Sequence, residues 1–99
     1  MAQPGLRIEK EDVGTLRLFL DGEWKLANNI PSPREVEGIL SAAPEITRAS
    51  FDTNGLEGWD SGLLTFLLSV MDQCTLKKVA VDRDGLPSGV NRLLALATA

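Results

Sequence analysis

The run Trp59-Asp60-Ser61-Gly62-Leu63-Leu64-Thr65-Phe66-Leu67-Leu68 sets an acid and a hydroxyl where a glycine-containing polar stretch gives way to apolar sequence. Either Asp60 or Ser61 can cap a helix there, because a side-chain oxygen accepts from the free N–H groups of the first turn. Such a terminus also favours negative charge, so a phosphate carried on Ser61 would be accommodated. Taken on spacing alone, the same residues do no more than start a helix.

Other chemistry is thinly supported. Histidine is absent, which removes the commonest general base and the commonest metal ligand. There is no Gly-x-x-x-x-Gly-Lys loop, no Gly-x-Gly-x-x-Gly and no possible Ser–His pair. Asp52, Glu57, Asp60 and Asp82 can gather near the ends of parallel strands, where four acids would suit magnesium. Their spacing is not diagnostic, and acids of this kind more often stand solvated in loops. The reading is non-enzymatic, with no catalytic residue, metal ligand or cofactor expected.

Composition narrows the class. The chain has 99 residues, 43% of them hydrophobic and 24% charged, with a net charge of -4. That is one domain with a core of modest size. No basic patch stands out, which argues against nucleic acid. Cys74 is the only cysteine, so no internal disulfide can form, and a free thiol suits a reducing compartment. It falls in an apolar helical pattern and reads as a small buried hydrophobe. Met1-Ala2-Gln3-Pro4-Gly5 leads straight into charged residues and does not read as a signal peptide. No apolar run reaches the length of a membrane span. The expected location is the cytoplasm. Leu93-Leu94-Ala95-Leu96-Ala97-Thr98-Ala99 lacks a glycine stop and a basic last turn, which raises the expectation that a longer protein continues beyond Ala99.

The elements that must position Asp60 and Ser61 follow from periodicity. Leu6 and Ile8 alternate with Arg7 and Glu9, and after the turn signal Asp12-Val13-Gly14, Leu16, Leu18 and Leu20 alternate with Arg17, Phe19 and Asp21. This predicts a β-hairpin. Asp21-Gly22 marks a bulge or bend before Trp24, which is expected to pack over the end of the sheet. Ser32-Pro33-Arg34-Glu35 predicts a helix start with Ser32 as cap, Pro33 first in the helix and Glu35 completing a capping box. Val36, Ile39, Leu40 and Ala43 form its apolar stripe, and Pro44 ends it. A strand is predicted over 46–52, then a long connection, Asp52 to Gly58, of the kind on which function often lies. A second helix is predicted from Ser61 to about Gln73, a strand over 76–82, and a last helix from Pro87-Ser88 with Leu86, Val90, Leu93, Leu94 and Ala97 as its stripe. The order is hairpin, α, β, α, β, α, an α/β domain with a mixed sheet covered mainly on one face by helices.

On a helical wheel the second helix has Gly62, Thr65, Ser69 and Asp72 as its polar stripe and Leu63, Leu67, Val70 and Cys74 at the centre of a wide apolar arc. One sheet needs only the centre buried. Phe66 and Leu68 lie closest to the polar edge, so Asp60, Ser61, Thr65, Phe66, Leu68 and Ser69 form the expected partner-binding edge.

The element order and the Asp60-Ser61-Gly62-Leu63 junction resemble the STAS domain, the fold of bacterial anti-sigma-factor antagonists and sulfate-transporter tails. The resemblance implies a loop leading to a helix whose start carries an Asp-Ser-(Ser)-Gly motif, with a hydroxyl that a partner kinase phosphorylates. Aligning on Ser-Gly makes Ser61 the phosphoacceptor. Aligning on the acid puts Ser61 at the first hydroxyl and Gly62 at the acceptor position. Four segments in order, Gly22-x-Trp24-x-Leu26-Ala27-Asn28, Phe51-Asp52-Thr53, Trp59 to Leu64 and Asp82-Arg83-x-Gly85-Leu86-Pro87, look like the N-terminal STAS domain of MlaE-type ABC permeases. That closer resemblance runs from Leu6 to Ala97. It implies a regulatory module at the cytoplasmic face of the bacterial inner membrane, with the ABC ATPase subunit and the permease transmembrane region as partners in lipid movement. The alternative it leaves is a free-standing anti-sigma-factor antagonist that binds an anti-sigma kinase.

Overall fold

The computed structural model describes residues 3–97. The hairpin forms as expected. β1 (Gly5–Lys10) and β2 (Thr15–Trp24) pair antiparallel in a register running from Gly5 opposite Asp21 to Lys10 opposite Leu16. At its turn the Asp12 carboxylate accepts from the Gly14 N–H at 2.9 Å, and that backbone bond is the first cause holding its pKa below the ordinary value. Alternation then assigns the two faces of β2. Leu16, Leu18, Leu20 and Trp24 are buried, while Arg17, Phe19 and Glu23 face the other way and are half-buried. On that second face the Arg7 guanidinium lies 4.2 Å from the centre of the Phe19 ring.

β2 organises the rest. β3 (Arg48–Asp52) lies parallel to its first half, and β5 (Ala80–Val81) lies parallel to β3. The predicted loop after β3 contains a further strand, β4 (Leu56–Trp59), which pairs parallel with Gly22–Trp24. The register shift in that pairing falls between Gly22 and Glu23, and Gly22 has φ 80. The bend read from Asp21-Gly22 is therefore a bulge, and its use is to bring the end of β2 alongside β4.

Three helices, α1 (Arg34–Ala42), α2 (Ser61–Leu76) and α3 (Ser88–Ala97), complete the domain. The core joins the inward residues of β2 and β3 to Val36 and Leu40 of α1, to Leu63, Phe66, Leu67, Val70 and Cys74 of α2, and to Val90 and Leu94 of α3. Each large apolar side chain buried in this way contributes about 1.5–3 kcal/mol relative to leaving it in water. Burial raises the Cys74 pKa to about 11, so its thiol is an inert core group at neutral pH.

Three expectations need correction. At the start of α1, Ser32 Oγ accepts from the Arg34 N–H at 3.2 Å and Pro33 already has helical φ and ψ. Among the described residues, however, no bond from Glu35 closes a capping box. On α3, Leu93 and Ala97 are exposed, so the stripe narrows to Leu86, Val90 and Leu94. The strand predicted over 76–82 shrinks to two residues because α2 runs on to Leu76. There Val79 N–H donates to Cys74 O at 2.7 Å and Lys78 N–H to Thr75 O at 3.2 Å, the paired bonds of a Schellman stop. That stop needs a left-handed residue, and Lys78 supplies it at φ 59. Replacing Lys78 with glycine is expected to stabilise the domain by about 0.5–1 kcal/mol, because glycine adopts this conformation without a Cβ penalty. Chemical denaturation measures it, and a loss of stability in Lys78→Gly would refute the left-handed stop.

Candidate functional site

The site is built where the end of β2, the end of β4 and the start of α2 meet. Asp60 follows β4 directly and has extended backbone. Its N–H donates to Trp24 O at 3.2 Å, which continues the β2–β4 ladder by one bond. Its carboxylate then turns to the helix, accepting from Gly62 N–H at 2.8 Å, and to the chain beyond β2, accepting from Leu26 N–H at 3.0 and 3.2 Å. Asp60 rather than Ser61 is thus the N-cap of α2, and one side chain ties two segments together.

Ser61 is the first residue of α2 and is exposed. Its carbonyl accepts from the Thr65 hydroxyl at 3.0 Å. The first turn carries no acidic residue, so its partial positive charge is answered only by the Asp60 carboxylate.

Beside this start lies an apolar groove of about 210 Å³. Leu26, Ile30, Pro31 and Pro33, from the connection between β2 and α1, form one wall. Gly62, Thr65, Phe66 and Ser69 of α2 form the other. Thr65 is exposed and Ser69 half-buried. Leu26 is 66% exposed, a large apolar side chain held open by the backbone bond to Asp60.

The predicted partner edge is redistributed. Asp60, Ser61, Thr65 and Ser69 do share one side of the helix start. Phe66 does not stand at the surface: it is 3% exposed, and its ring packs at 4.8 Å and 49° against that of Trp24, so it forms the floor of the groove. Gly62, placed on the polar stripe, is likewise buried, with Ile30 against it. Leu68 is half-buried against the core and does not line the groove. Leu26 and Ile30 were not among the expected site residues. The one local signal for them was an apolar pair in a loop rich in asparagine and proline.

Three of the four acids considered for magnesium have separate tasks, and the fourth, Glu57, is exposed. Asp52 accepts from Asn54 N–H at 2.9 Å, Asp82 from Asp84 N–H at 3.0 Å, and Asp60 caps α2. Among the described residues no three acidic, histidine or cysteine side chains converge as a metal site would require. No helix among them is long and apolar enough to cross a membrane.

Removing the Asp60 carboxylate is expected to cost about 1–2 kcal/mol, the usual loss of a cap with a further exposed hydrogen bond. Asp60→Asn should keep most of that stability, because asparagine caps as well as aspartate. Urea denaturation of the two variants decides it. Equal stability of Asp60→Ala and the parent would mean that the cap does not hold this junction.

The fold is that of the STAS domain, a mixed sheet with three helices. Among solved structures, the Bacillus cell fate determinant SpoIIAA in its phosphorylated form is similar over 94% of this chain and 83% of its own, with a TM-score of 0.67 and 14% identity. The anti-sigma-factor antagonist SpoIIAA in its unphosphorylated form is similar over 95% of this chain and 81% of its own, with a TM-score of 0.64 and 14% identity. No model of a known protein family matches the sequence, and no curated protein does.

Proposed function

We propose that this chain is a non-catalytic regulatory module of the anti-sigma-factor-antagonist kind, which binds a protein partner through the start of α2 and is switched by a phosphate on Ser61. The observation that carries this is the exposed Ser61 hydroxyl at the first position of α2. It lies one turn before Thr65 and two before Ser69, both of which line the apolar groove. Similarity in fold to an antagonist solved with and without phosphate supports the reading. The groove takes an apolar side chain of the partner, and the exposed hydroxyls beside it set the orientation. A phosphate at Ser61 would leave the helix intact, since its N-terminus favours the charge, and would repel an acidic partner surface. The partner in this reading is an anti-sigma kinase in the cytoplasm.

A second reading keeps this module as the N-terminal domain of an MlaE-type ABC permease, with the ABC ATPase and the permease transmembrane region as partners. It rests on the four sequence segments that resemble that group. The full reading frame separates the two: several long apolar segments after Ala99 favour the permease.

The experiment is direct binding to a purified anti-sigma kinase from the same genome, with the ABC ATPase as the second partner tested. Ser61→Asp and Thr65→Arg are each expected to weaken binding at least roughly tenfold, about 1.4 kcal/mol, with native-like melting curves. Ser61→Ala should bind as the parent does and accept no phosphate from the kinase. Folded Ser61→Asp and Thr65→Arg variants that bind either partner as tightly as the parent would remove this edge from the interface.

A further inference from the structure

We propose that Asn54 is a site of spontaneous backbone modification, in which the Gly55 nitrogen attacks the Asn54 side-chain amide and the isoaspartate formed loosens the turn leading into β4. This inference stands apart from the functional reading above.

Asn54 and Gly55 are the central pair of a turn closed by Leu56 N–H donating to Thr53 O at 3.1 Å. Both are exposed. The neighbouring backbone is held: Asn54 N–H donates to the Asp52 carboxylate at 2.9 Å, and Gly55 O accepts from Gly22 N–H at 2.9 Å. The two groups that must react are not. Among the described residues neither the Asn54 side-chain amide nor the Gly55 N–H has a hydrogen-bond partner. Glycine adds no Cβ of its own beside the nitrogen; the Asp21 side chain fills the space a Cβ would take at Gly55. The other asparagines lack this combination. The Asn28 side-chain nitrogen donates to Glu23 O at 3.0 Å and that of Asn91 to Arg83 O at 2.9 Å, and Asn29 is followed by the branched Ile30.

The step balances without any redox partner. Hydroxide takes the Gly55 N–H proton and becomes water, the nitrogen forms a bond to Asn54 Cγ, and the bond from Cγ to the side-chain nitrogen breaks as water returns a proton to that nitrogen. Ammonia leaves and a five-membered succinimide remains. Water then opens the ring. Cleavage at Cγ gives aspartate. Cleavage at the main-chain carbonyl gives isoaspartate, in which the backbone runs through the former side chain. Either product adds a negative charge to a chain of net charge -4. Isoaspartate also inserts a methylene between Thr53 and Gly55, inside the ring closed by the Thr53–Leu56 bond. β4 begins at Leu56 and ends one residue before Asp60, so slack in this turn passes along four residues to the cap of α2.

The test is incubation of the whole protein at mildly alkaline pH, in native buffer and in denaturant, followed by peptide mass mapping and labelling with a protein isoaspartate methyltransferase. In native buffer the exchange of NH2 for OH is expected to accumulate at Asn54 ahead of Asn28, Asn29 and Asn91. Methyl label should appear on the same peptide, and both signals should be lost in Asn54→Gln. The aged parent should melt at a lower temperature than fresh protein, whereas aged Asn54→Gln should not. Modification confined to the denatured samples, or reaching another asparagine first, would overturn the site. Isoaspartate at Asn54 with an unchanged melting curve would overturn its effect on the turn.

Discussion

Trp24→Ala is expected to remove about 3–5 kcal/mol of stability, the usual cost of deleting a large aromatic side chain from a packed core. Trp24 is 0% exposed, and its ring meets Phe66 across the junction of sheet and helix. Its indole N–H donates to Asp21 O at 2.9 Å, a bond the deletion also removes. Domains of this size hold only about 5–15 kcal/mol in total. At about 4–8 °C per kcal/mol the melting temperature should fall by roughly 12 °C or more. The loss should be felt at the groove, because Phe66 is its floor and Trp24 supports Phe66. A double-mutant cycle between Trp24→Ala and Phe66→Ala should show a coupling of about 0.5–1.5 kcal/mol from the ring contact itself. A Trp24→Ala variant that loses less than about 1 kcal/mol would place the indole outside the core.

The parts of this fold that were legible in the sequence are those whose burial follows local period. Leu16, Leu18 and Leu20 alternate because one sheet face meets helices and the other meets water, and Val36 with Leu40 repeats because α1 buries one stripe. β4 was not legible. Leu56-Glu57-Gly58-Trp59 follows one glycine, contains another and has no β-branched residue. It is a strand because the bulged end of β2 offers it a partner, and that pairing is not local. The end of α2 was hidden for a related reason. A helix stop is normally marked by glycine, and here the left-handed position holds Lys78.

The site was half legible. An acid before a hydroxyl announces a helix start whatever the fold, and Asp60 fills that role. The side of α2 that meets a neighbour depends instead on where the chain runs after β2. The wheel put Phe66 at the edge because it counted only the sheet beneath the helix. The connection from Leu26 to Pro33 passes on that side and encloses the ring. The same point explains why three of the four recognisable segments, those outside Trp59 to Leu64, are informative without being chemical. Gly22 forms the bulge, and the Asn28 side chain ties its loop to Glu23 O. The Thr53 hydroxyl donates to Gly85 O at 2.5 Å, and Asp82 braces its own turn. These are brackets that hold the loops at the ends of the parallel strands, and they mark a fold before they mark a function.

The last of those brackets makes the second large prediction. Gly85→Ala is expected to destabilise the domain by about 1–3 kcal/mol, the usual range for forcing an extra carbon into filled space. A Cβ at residue 85 would run into the carbonyl group of Phe51, which belongs to β3 and cannot swing aside as a side-chain tip would. The loop would have to lift against the bonds from the Thr53 hydroxyl to Gly85 O and from the Asn91 side chain to Arg83 O. β5 pairs with β3 over only Ala80 and Val81, followed by Asp82 N–H donating to Ala49 O at 2.8 Å. Lifting therefore strains the Thr53–Gly85 bond and draws Leu86, 5% exposed, out of the core. Gly38→Ala is the matched control. Gly38 sits inside α1, is exposed, and a Cβ there would meet nothing within 4 Å. The same added methyl should stabilise α1 by about 0.5–1 kcal/mol through helix propensity. Denaturation curves of the two variants should thus move in opposite directions from the parent. If Gly85→Ala is as stable as the parent, the loop after β5 does not rest on the Phe51 backbone, and the Asp82-to-Pro87 segment loses its structural explanation.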